Sequence, residues 1–359
     1  MDTLIFRMTP DAIDECAIKK CAEIIKRGGL VAMPTETVYG LGADATDKNA
    51  AAKIYAAKGR PSDNPLIIHI ASPEDAERYA YTSPLYYKLA KAFMPGPLTV
   101  ILPKKDIVPS EVTGGLDTVA VRCPSHEVAH ALIEASGVAI AAPSANLSGS
   151  PSPTTAEHVI SDMNGRIDAI IDGGSSEIGL ESTIVKLEGD TAIMLRPGAV
   201  TCDALGCVCE KVEIAAAVTE LLGENERPLS PGMKYKHYAP ASPLVLLEGE
   251  DSAVTDFLIT AQSQENCAIL CYSEEKPLLD DKNIIDVGAR DDLSMQAQTL
   301  FAALRNTNSM GVDVIYAHLP TQSGIGLALY NRLIRAAAHT IKHIDRANYR
   351  YDKTKFIRY

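Results

Sequence analysis

No apolar run among the 359 residues approaches the ~18 needed to cross a bilayer, and the opening stretch MDTLIFRMTPDAIDE carries acidic side chains where a signal peptide would be basic. The expectation is a cytoplasmic protein with no membrane contact. Clustered positive charge is missing too. With 46 acidic against 34 basic residues the net charge is -12, which opposes general binding to nucleic acid, so any polyanion site must be local. No cysteine pair has CxxC spacing: Cys207 and Cys209 have one residue between them, and Cys267 and Cys271 lie four positions apart, neither with histidines at zinc-site spacing. The eight cysteines are therefore expected to be reduced thiols acting as small hydrophobes. GxxxxGK[ST] and a complete GxGxxG are absent, and the pair Gly324 and Gly326 lacks a third glycine and a downstream acid. A bound nucleotide would thus have its phosphates held largely by side chains. No GxSxG elbow is present, and Ser144 follows a proline, which leaves a serine hydrolase without its nucleophile turn.

What is present is ordinary globular composition, 46% hydrophobic and 22% charged, at a length that argues for two domains. Apolar spacing predicts a helix over 12–26 ended by Gly28 and Gly29, a strand over 30–33 stopped by Pro34, and a helix over 47–57 capped by Asp47. Strands follow at 66–70, 98–102, 118–122, 138–142, 169–171, 182–187 and 192–195, with helices at 73–81, 84–93, 126–135 and 155–163 between some of them. Strands interleaved with helices, yet not in strict βαβ alternation, predict an α/β fold with a twisted mixed sheet covered by helices. Residues 202–222 read as helical. Residues 223–243, GENERPLSPGMKYKHYAPASP, hold four prolines and two glycines without apolar periodicity and read as a linker, although Lys234, Tyr235, Lys236, His237 and Tyr238 place cations and aromatics inside it. From residue 244 a second pattern begins, with strands at 244–247, 268–271, 284–287 and 312–316 and helices at 252–262, 293–305 and 327–341, which predicts a smaller Rossmann-like parallel sheet. The division is 1–206, a linker over 207–243, and 244–359. The basic residues Arg346, Arg350, Lys353, Lys355 and Arg358 read as a solvated tail, the alternative being a weak contact with RNA.

Candidate chemistry gathers around residues 58–70, KGRPSDNPLIIHI. Lys58 and Arg60, one residue apart before two prolines, make a poor core element and a good anion-facing loop, Arg through its planar fork and Lys as a point charge. Arg122 and Arg196 end other strands in VAVRC and IMLRPG. The polar cluster after Pro34 (Thr35, Glu36, Thr37) lies just past a buried strand, where open α/β sheets place ligand contacts. APSANLSGSPSPTT offers Ser144, Asn146, Ser148, Ser152 and Thr154 as small donors and acceptors; the plainer reading is a serine-rich loop capping a helix at Thr155. Ser182 and Thr183 open a strand in the same manner. By itself His69, in an apolar strand, reads as a satisfied core residue.

PTETVYGLGADA, KIYAAKGRPSDNPL, PGPLTVIL, VAVRCP, APSANLSG, ESTIV and LRPGAV, in this order, resemble the YrdC-type domain of threonylcarbamoyl-AMP synthases, and SPGMKYKHYAP with the second α/β pattern resembles the long, two-domain form. The resemblance implies synthesis of L-threonylcarbamoyl-AMP and pyrophosphate from L-threonine, bicarbonate and ATP with Mg2+. A separate threonylcarbamoyl transferase would consume the product for threonylcarbamoyladenosine in tRNAs reading ANN codons, and a weak tRNA contact would be in keeping. Motif by motif, it implies that Thr35, His69, Arg122, Ala142 and Ser182 bind L-threonine, and that Lys58, Arg60, Asn64, Thr118, Ser144, Asn146, Ser152, Arg196 and the linker's Tyr238 bind ATP. Lys58, Arg60, Ser144 and Asn146 are the signature catalytic set, and the linker is expected to close over the nucleotide. No resident protein metal site is implied. These matches reverse the plainer readings of His69 and of the serine-rich loop. Two rivals use a similar domain. One is a carbamoyltransferase, which would add acylphosphatase and zinc-finger modules that this chain lacks the length and the CxxC pairs to hold; the other is a non-enzymatic RNA-binding module.

Overall fold

The computed structural model describes residues 2–219 and 238–345, so residues 220–237 of the expected linker and the basic residues from Arg346 onward lie outside it. Within it are two sheets. The first has eleven strands, in spatial order Leu4–Arg7, Ala169–Asp172, Val31–Met33, Gly40–Asp44, Ile140–Ala141, Ile67–His69, Thr118–Arg122, Leu98–Pro103, Thr183–Glu188, Thr191–Arg196 and Lys211–Ile214. Parallel and antiparallel pairings mix along it, as expected of a connectivity that is only partly βαβ. The second sheet is parallel throughout, in the order Ile284–Asp286, Cys267–Cys271, Val314–His318, Leu244–Gly249 and Ile341–Ile344. Its helices are Asp251–Gln264, Leu293–Asn306 and Gly324–Ala336. Among the described residues no helix is long and apolar enough to cross a membrane, and all eight cysteines are free.

Local chemistry accounts for the elements that place the site. Asp47 accepts a hydrogen bond from the Asn49 N–H at 2.8 Å and starts the helix Lys48–Lys58, whose Ala50, Ala51, Ile54, Tyr55 and Ala57 are buried. Gly59, at φ 62°, ends it in the left-handed conformation that glycine reaches without a Cβ penalty. Lys58 therefore stands on the last helical residue and Arg60 on the turn beyond. Inside the first sheet His69 lies opposite Arg122 and Arg122 opposite Thr99, while Gly40 bridges to Ser144. By register, Met33, Gly40 and Ala141 lie toward one end of the ladder and His69, Arg122, Thr183 and Arg196 toward the other.

Four expectations change. Residues 202–222 are not one helix: Cys202–Gly206 is helical, then Lys211–Ile214 adds an edge strand beside Thr191–Arg196, because ladder bonds to a ready edge outweigh a weak helical propensity. Residues 73–81 divide into a 3-10 turn at Pro73–Asp75 and a helix at Ala76–Tyr79. The last helix begins at Gly324 instead of 327 and ends at Ala336, and the chain then pairs as Ile341–Ile344. Leu4–Arg7 and Gly40–Asp44 are strands without an alternating apolar signature; the second contains two glycines, and its Gly42 lies so close to the neighbouring strand that a Cβ would stand 2.7 Å from Ile140 Cγ2.

The two layers share a core. Val38 and Leu180, from loops of the first, pack in one apolar cluster with Phe301, Leu304 and Leu333 from helices of the second, and Tyr238 joins them with its ring centroid 5.1 Å from that of Phe301.

Candidate active site

One cavity of about 710 Å3, part of it open to solvent, draws its lining from both ends of the first sheet's ladders. Thr35, His69, Arg122, Ala142 and Ser182 line it, and so do Lys58, Arg60, Ser144, Asn146, Ser152, Arg196 and Tyr238. Of the fourteen residues singled out, only Asn64 and Thr118 lie outside this lining. Asn64 is buried beneath the Arg60 turn, its backbone oxygen accepting from Arg60 Nη2 at 3.3 Å and from the Tyr55 hydroxyl at 3.2 Å. Thr118 starts the strand that Arg122 ends, about 13 Å away by the rise of a strand.

Two polar regions divide the cavity wall. In the first, Arg122 Nη2 stands 2.8 Å from Glu36 Oε1, with both side chains 5% exposed. The contact is an ion pair without hydrogen-bond alignment: both Glu36 oxygens and the Arg122 Nε and Nη2 are buried with no hydrogen-bond partner among the described residues. Beside them His69 Nδ1–H donates to the Ile140 carbonyl at 3.3 Å. Burial, and then the nearby Arg122 charge, push its pKa down to about 3, so the ring is neutral at physiological pH. The Thr35 hydroxyl donates to the Val38 carbonyl at 2.5 Å and accepts from the Val38 N–H at 3.2 Å, so it shapes its own turn. Ser182 Oγ lies 2.7 Å from Thr99 Oγ1 and accepts from Arg196 Nη2 at 3.1 Å.

The second region is built on Lys58. Its ammonium donates to the carbonyls of Ser144 at 2.5 Å and Asn146 at 2.6 Å, fastening the helix end to the serine-rich loop, and Lys58 is only 2% exposed. Burial first, and then repulsion from Arg60, lowers its pKa well below the ordinary lysine value. Ser144 Oγ donates to Asn146 Oδ1 at 2.5 Å, and Asn146 Nδ2 donates to the Leu147 and Ser150 carbonyls at 2.7 and 2.8 Å. These bonds leave the 144–150 loop as a preformed rim of backbone and small side chains.

Comparison with known proteins locates the chain among relatives. A family model described as telomere recombination matches residues 23–198, and one described as threonylcarbamoyl-AMP synthase, C-terminal domain, matches residues 200–338. The threonylcarbamoyl-AMP synthase of Pyrococcus abyssi is 45% identical over 335 residues, 92% of this chain and 97% of its own. This chain belongs to the threonylcarbamoyl-AMP synthase family. The Bacillus subtilis threonylcarbamoyl-AMP synthase is 44% identical over 323 residues, 89% of this chain and 92% of its own. The crystal structure of P. abyssi Sua5 complexed with L-threonine superposes with a TM-score of 0.87 at 43% identity, covering 96% of this chain and all of that one.

In this member of the threonylcarbamoyl-AMP synthase family the structure adds residues that sequence reasoning missed. Glu36 was visible only as part of a polar cluster, and its pairing with Arg122 is tertiary. Glu181, in the motif ESTIV, accepts from Ser152 Oγ at 2.6 Å and pairs with Arg332 Nε at 2.9 Å. Burial alone would raise its pKa, but Arg332, Arg196 and the Ser152 hydrogen bond outweigh it and hold the carboxyl below its ordinary value. Arg196 is in turn lowered to about 10 by burial, against the attraction of Glu181, and remains charged at neutral pH.

Proposed function

We propose that the chain is an L-threonylcarbamoyladenylate synthase: it joins L-threonine and bicarbonate into N-carboxythreonine with loss of water, and a carboxylate oxygen of that carbamate attacks the α-phosphorus of ATP, breaking its bond to the leaving pyrophosphate. The single observation that carries this reading is the division of one cavity between Arg122, which has open hydrogen-bonding capacity and is backed by the buried Glu36 outside the lining, and a cationic rim at Lys58 and Arg60. An α-amino acid is a zwitterion. Arg122 suits its carboxylate and Glu36 its ammonium, while Thr35, His69, Ala142 and Ser182 enclose the rest. ATP spans the other half, with Arg60 and Arg196 supplying positive charge, Lys58, Ser144 and Asn146 shaping the rim, Ser152 and Tyr238 closing the wall, Asn64 acting from beneath by holding the Arg60 turn, and Thr118 meeting the part of the nucleotide that extends beyond it.

The chemistry asks for two anionic reactants held in line and for charge neutralisation, with no protein nucleophile, and the wall supplies those elements. Glu181 is occupied by Arg332 and Ser152, and among the described residues no group of three or more His, Cys, Asp or Glu forms a cation site. Mg2+ would arrive with ATP, held chiefly by phosphate oxygens and water, and help neutralise the phosphates. In this reading residues 1–206 carry the chemistry, 207–243 link, and 244–359 support, in a cytoplasmic enzyme whose product goes to a threonylcarbamoyl transferase acting on tRNA.

The test is incubation of the protein with L-threonine, bicarbonate and ATP labelled in its α-phosphate, with no RNA present. Pyrophosphate and a labelled threonylcarbamoyl-AMP adduct are expected, each dependent on both threonine and bicarbonate. Pyrophosphate release that ignores threonine, or no adduct at all, would sink the reading.

A further inference from the structure

Arg332, on the helix Gly324–Ala336 of the second layer, is completely buried, and apart from one bond from Nη1 to the neighbouring Asn331 Oδ1 at 3.0 Å its guanidinium bonds to the first layer. Nε donates to Glu181 Oε2 at 2.9 Å, Nη2 to the Glu181 carbonyl at 3.2 Å and Nη1 to the Pro197 carbonyl at 2.7 Å. One side chain thereby ties together the entry of one strand, at 181–183, and the exit of the next, just after Arg196. The other Glu181 oxygen receives Ser152 Oγ at 2.6 Å, so the tie continues to the cavity wall. A second arm reaches the same loop independently: Arg305, on the helix Leu293–Asn306, donates from Nη2 to the Pro151 carbonyl at 2.6 Å while pairing with Asp162. The backbones leave no slack, since a Cβ on Gly179 would stand 2.4 Å from Gln298 Cα in that helix.

A wholly buried arginine–glutamate pair is a weak source of stability, because desolvation of both ions consumes most of their attraction and an apolar pair of similar volume holds two layers together as well. What an apolar pair cannot do is fix the direction of a serine hydroxyl and of two carbonyls at once. We propose that Arg332 is a positioning residue for the nucleotide half of the cavity, acting through Glu181 on Ser152 and on the Arg196–Pro197 turn, so that the second layer is a working part of the ATP site. The inference rests on the reading of that half as the ATP site. Of the threonine half, only Ser182 adjoins a group that Arg332 holds, the Glu181 carbonyl, while Arg122, Glu36 and His69 have no hydrogen bond from the second layer among the described residues.

The test compares Arg332→Lys and Glu181→Gln with the unaltered full-length chain, measuring KM for ATP and for L-threonine by pyrophosphate release and the thermal shift given by each substrate. Lysine keeps the charge but cannot reach three acceptors in a fork; glutamine keeps the volume and a partner for Ser152 but loses the charge. Each folded variant is expected to raise KM for ATP about tenfold, as for loss of one charge-assisted hydrogen bond, with KM for threonine changed less than about twofold. The ATP-induced shift should shrink while the threonine-induced shift stays. Unchanged ATP kinetics, or both KM values rising in parallel, would overturn the inference, as would failure of both variants to fold, which would make the pair structural. If the unaltered chain itself shows no ATP-dependent shift or turnover, the underlying assignment of ATP has failed instead.

Discussion

Arg122 and Glu36 face each other at 2.8 Å in a site where both side chains are 95% removed from solvent, and neither satisfies the other's hydrogen bonds. A pair in that condition is poised to exchange its mutual contact for a ligand that carries both charges. Arg122→Lys retains the positive charge but loses the bidentate fork, so KM for L-threonine is expected to rise about 10- to 100-fold with KM for ATP within about threefold. Arg122→Ala leaves Glu36 as an unpaired buried carboxylate and should lower stability by about 3–5 kcal/mol in urea titration. Equal effects of Arg122→Lys on both substrates would remove Arg122 from the threonine half.

Lys58 and Arg60 lie one residue apart yet do different work. The Lys58 ammonium is held by the Ser144 and Asn146 carbonyls of the rim loop, whereas Arg60, on the turn beyond, donates from Nη2 to the Asn64 and Pro65 carbonyls of its own loop at 3.3 and 3.2 Å. Lys58→Ala would leave those carbonyls without their donor and let the rim loop relax, so kcat/KM for ATP should fall about 10²- to 10³-fold with a measurable loss of stability, about 1–3 kcal/mol for each carbonyl left buried. Arg60→Ala should raise KM for ATP about tenfold with a smaller loss of stability than Lys58→Ala, since these two bonds are part-buried and the Asn64 carbonyl keeps the Tyr55 hydroxyl. Calorimetry and pyrophosphate release together separate the two. Identical profiles would contradict the division.

The buried His69 gives stability a dependence on pH. Its folded pKa, about 3, is depressed from the ordinary value near 6.5, so the unfolded chain binds a proton that the folded chain refuses, and stability falls as pH drops through that window. The loss is about 1.4 kcal/mol per unit below the unfolded pKa, or roughly 2 kcal/mol by pH 5. His158, lowered to about 4 by burial and by Arg305, acts in the same direction, so the wild-type curve alone does not isolate His69. Comparison with His69→Asn does: its loss of stability between pH 7 and pH 5 should be smaller by roughly 2 kcal/mol. Parallel curves would mean that His69 takes up its proton in the folded protein as readily as in the unfolded chain.

Much of this site is legible along the chain because strand ends and turns announce themselves locally. Asp47 as a cap, Gly28 and Gly29 as a stop and Arg122 at the end of an apolar strand are each read from their neighbours, and the structure places Lys58, His69 and Arg122 on one cavity. Other parts cannot be read that way. Gly40–Asp44 hides as a strand because its glycines make room for adjoining chain, a demand set by residues far away in sequence. Lys211–Ile214 is an edge strand whose pattern carries no buried face, so only the neighbouring ladder specifies it. Glu181 looks like a mere companion of Ser182 until Arg332, 151 positions on, is seen to hold it. Hydrophobic periodicity records which face of an element is buried; it does not record which polar atom waits on the other side.

Gly198 offers a test of how tightly the two halves of the cavity are coupled. It follows Arg196 and Pro197, and a Cβ placed there would stand 2.6 Å from the Thr183 N and 2.8 Å from the Glu181 carbonyl oxygen. Neither is the end of a flexible side chain, so in Gly198→Ala the 181–183 backbone must move, taking Ser182 from the threonine half and Glu181 from the nucleotide half together. Gly206 is a fitting control, since nothing lies within 4 Å of its Cβ position and its φ is outside the left-handed region. Gly206→Ala should leave activity unchanged and stability within about 0.5 kcal/mol or slightly raised. Gly198→Ala should lose about 1–3 kcal/mol by overpacking and raise KM for both substrates, in contrast to the one-sided effects expected of Arg122→Lys and Arg60→Ala. If Gly198→Ala instead lowers melting and leaves both KM values untouched, the contact is a packing detail and the two halves are set independently.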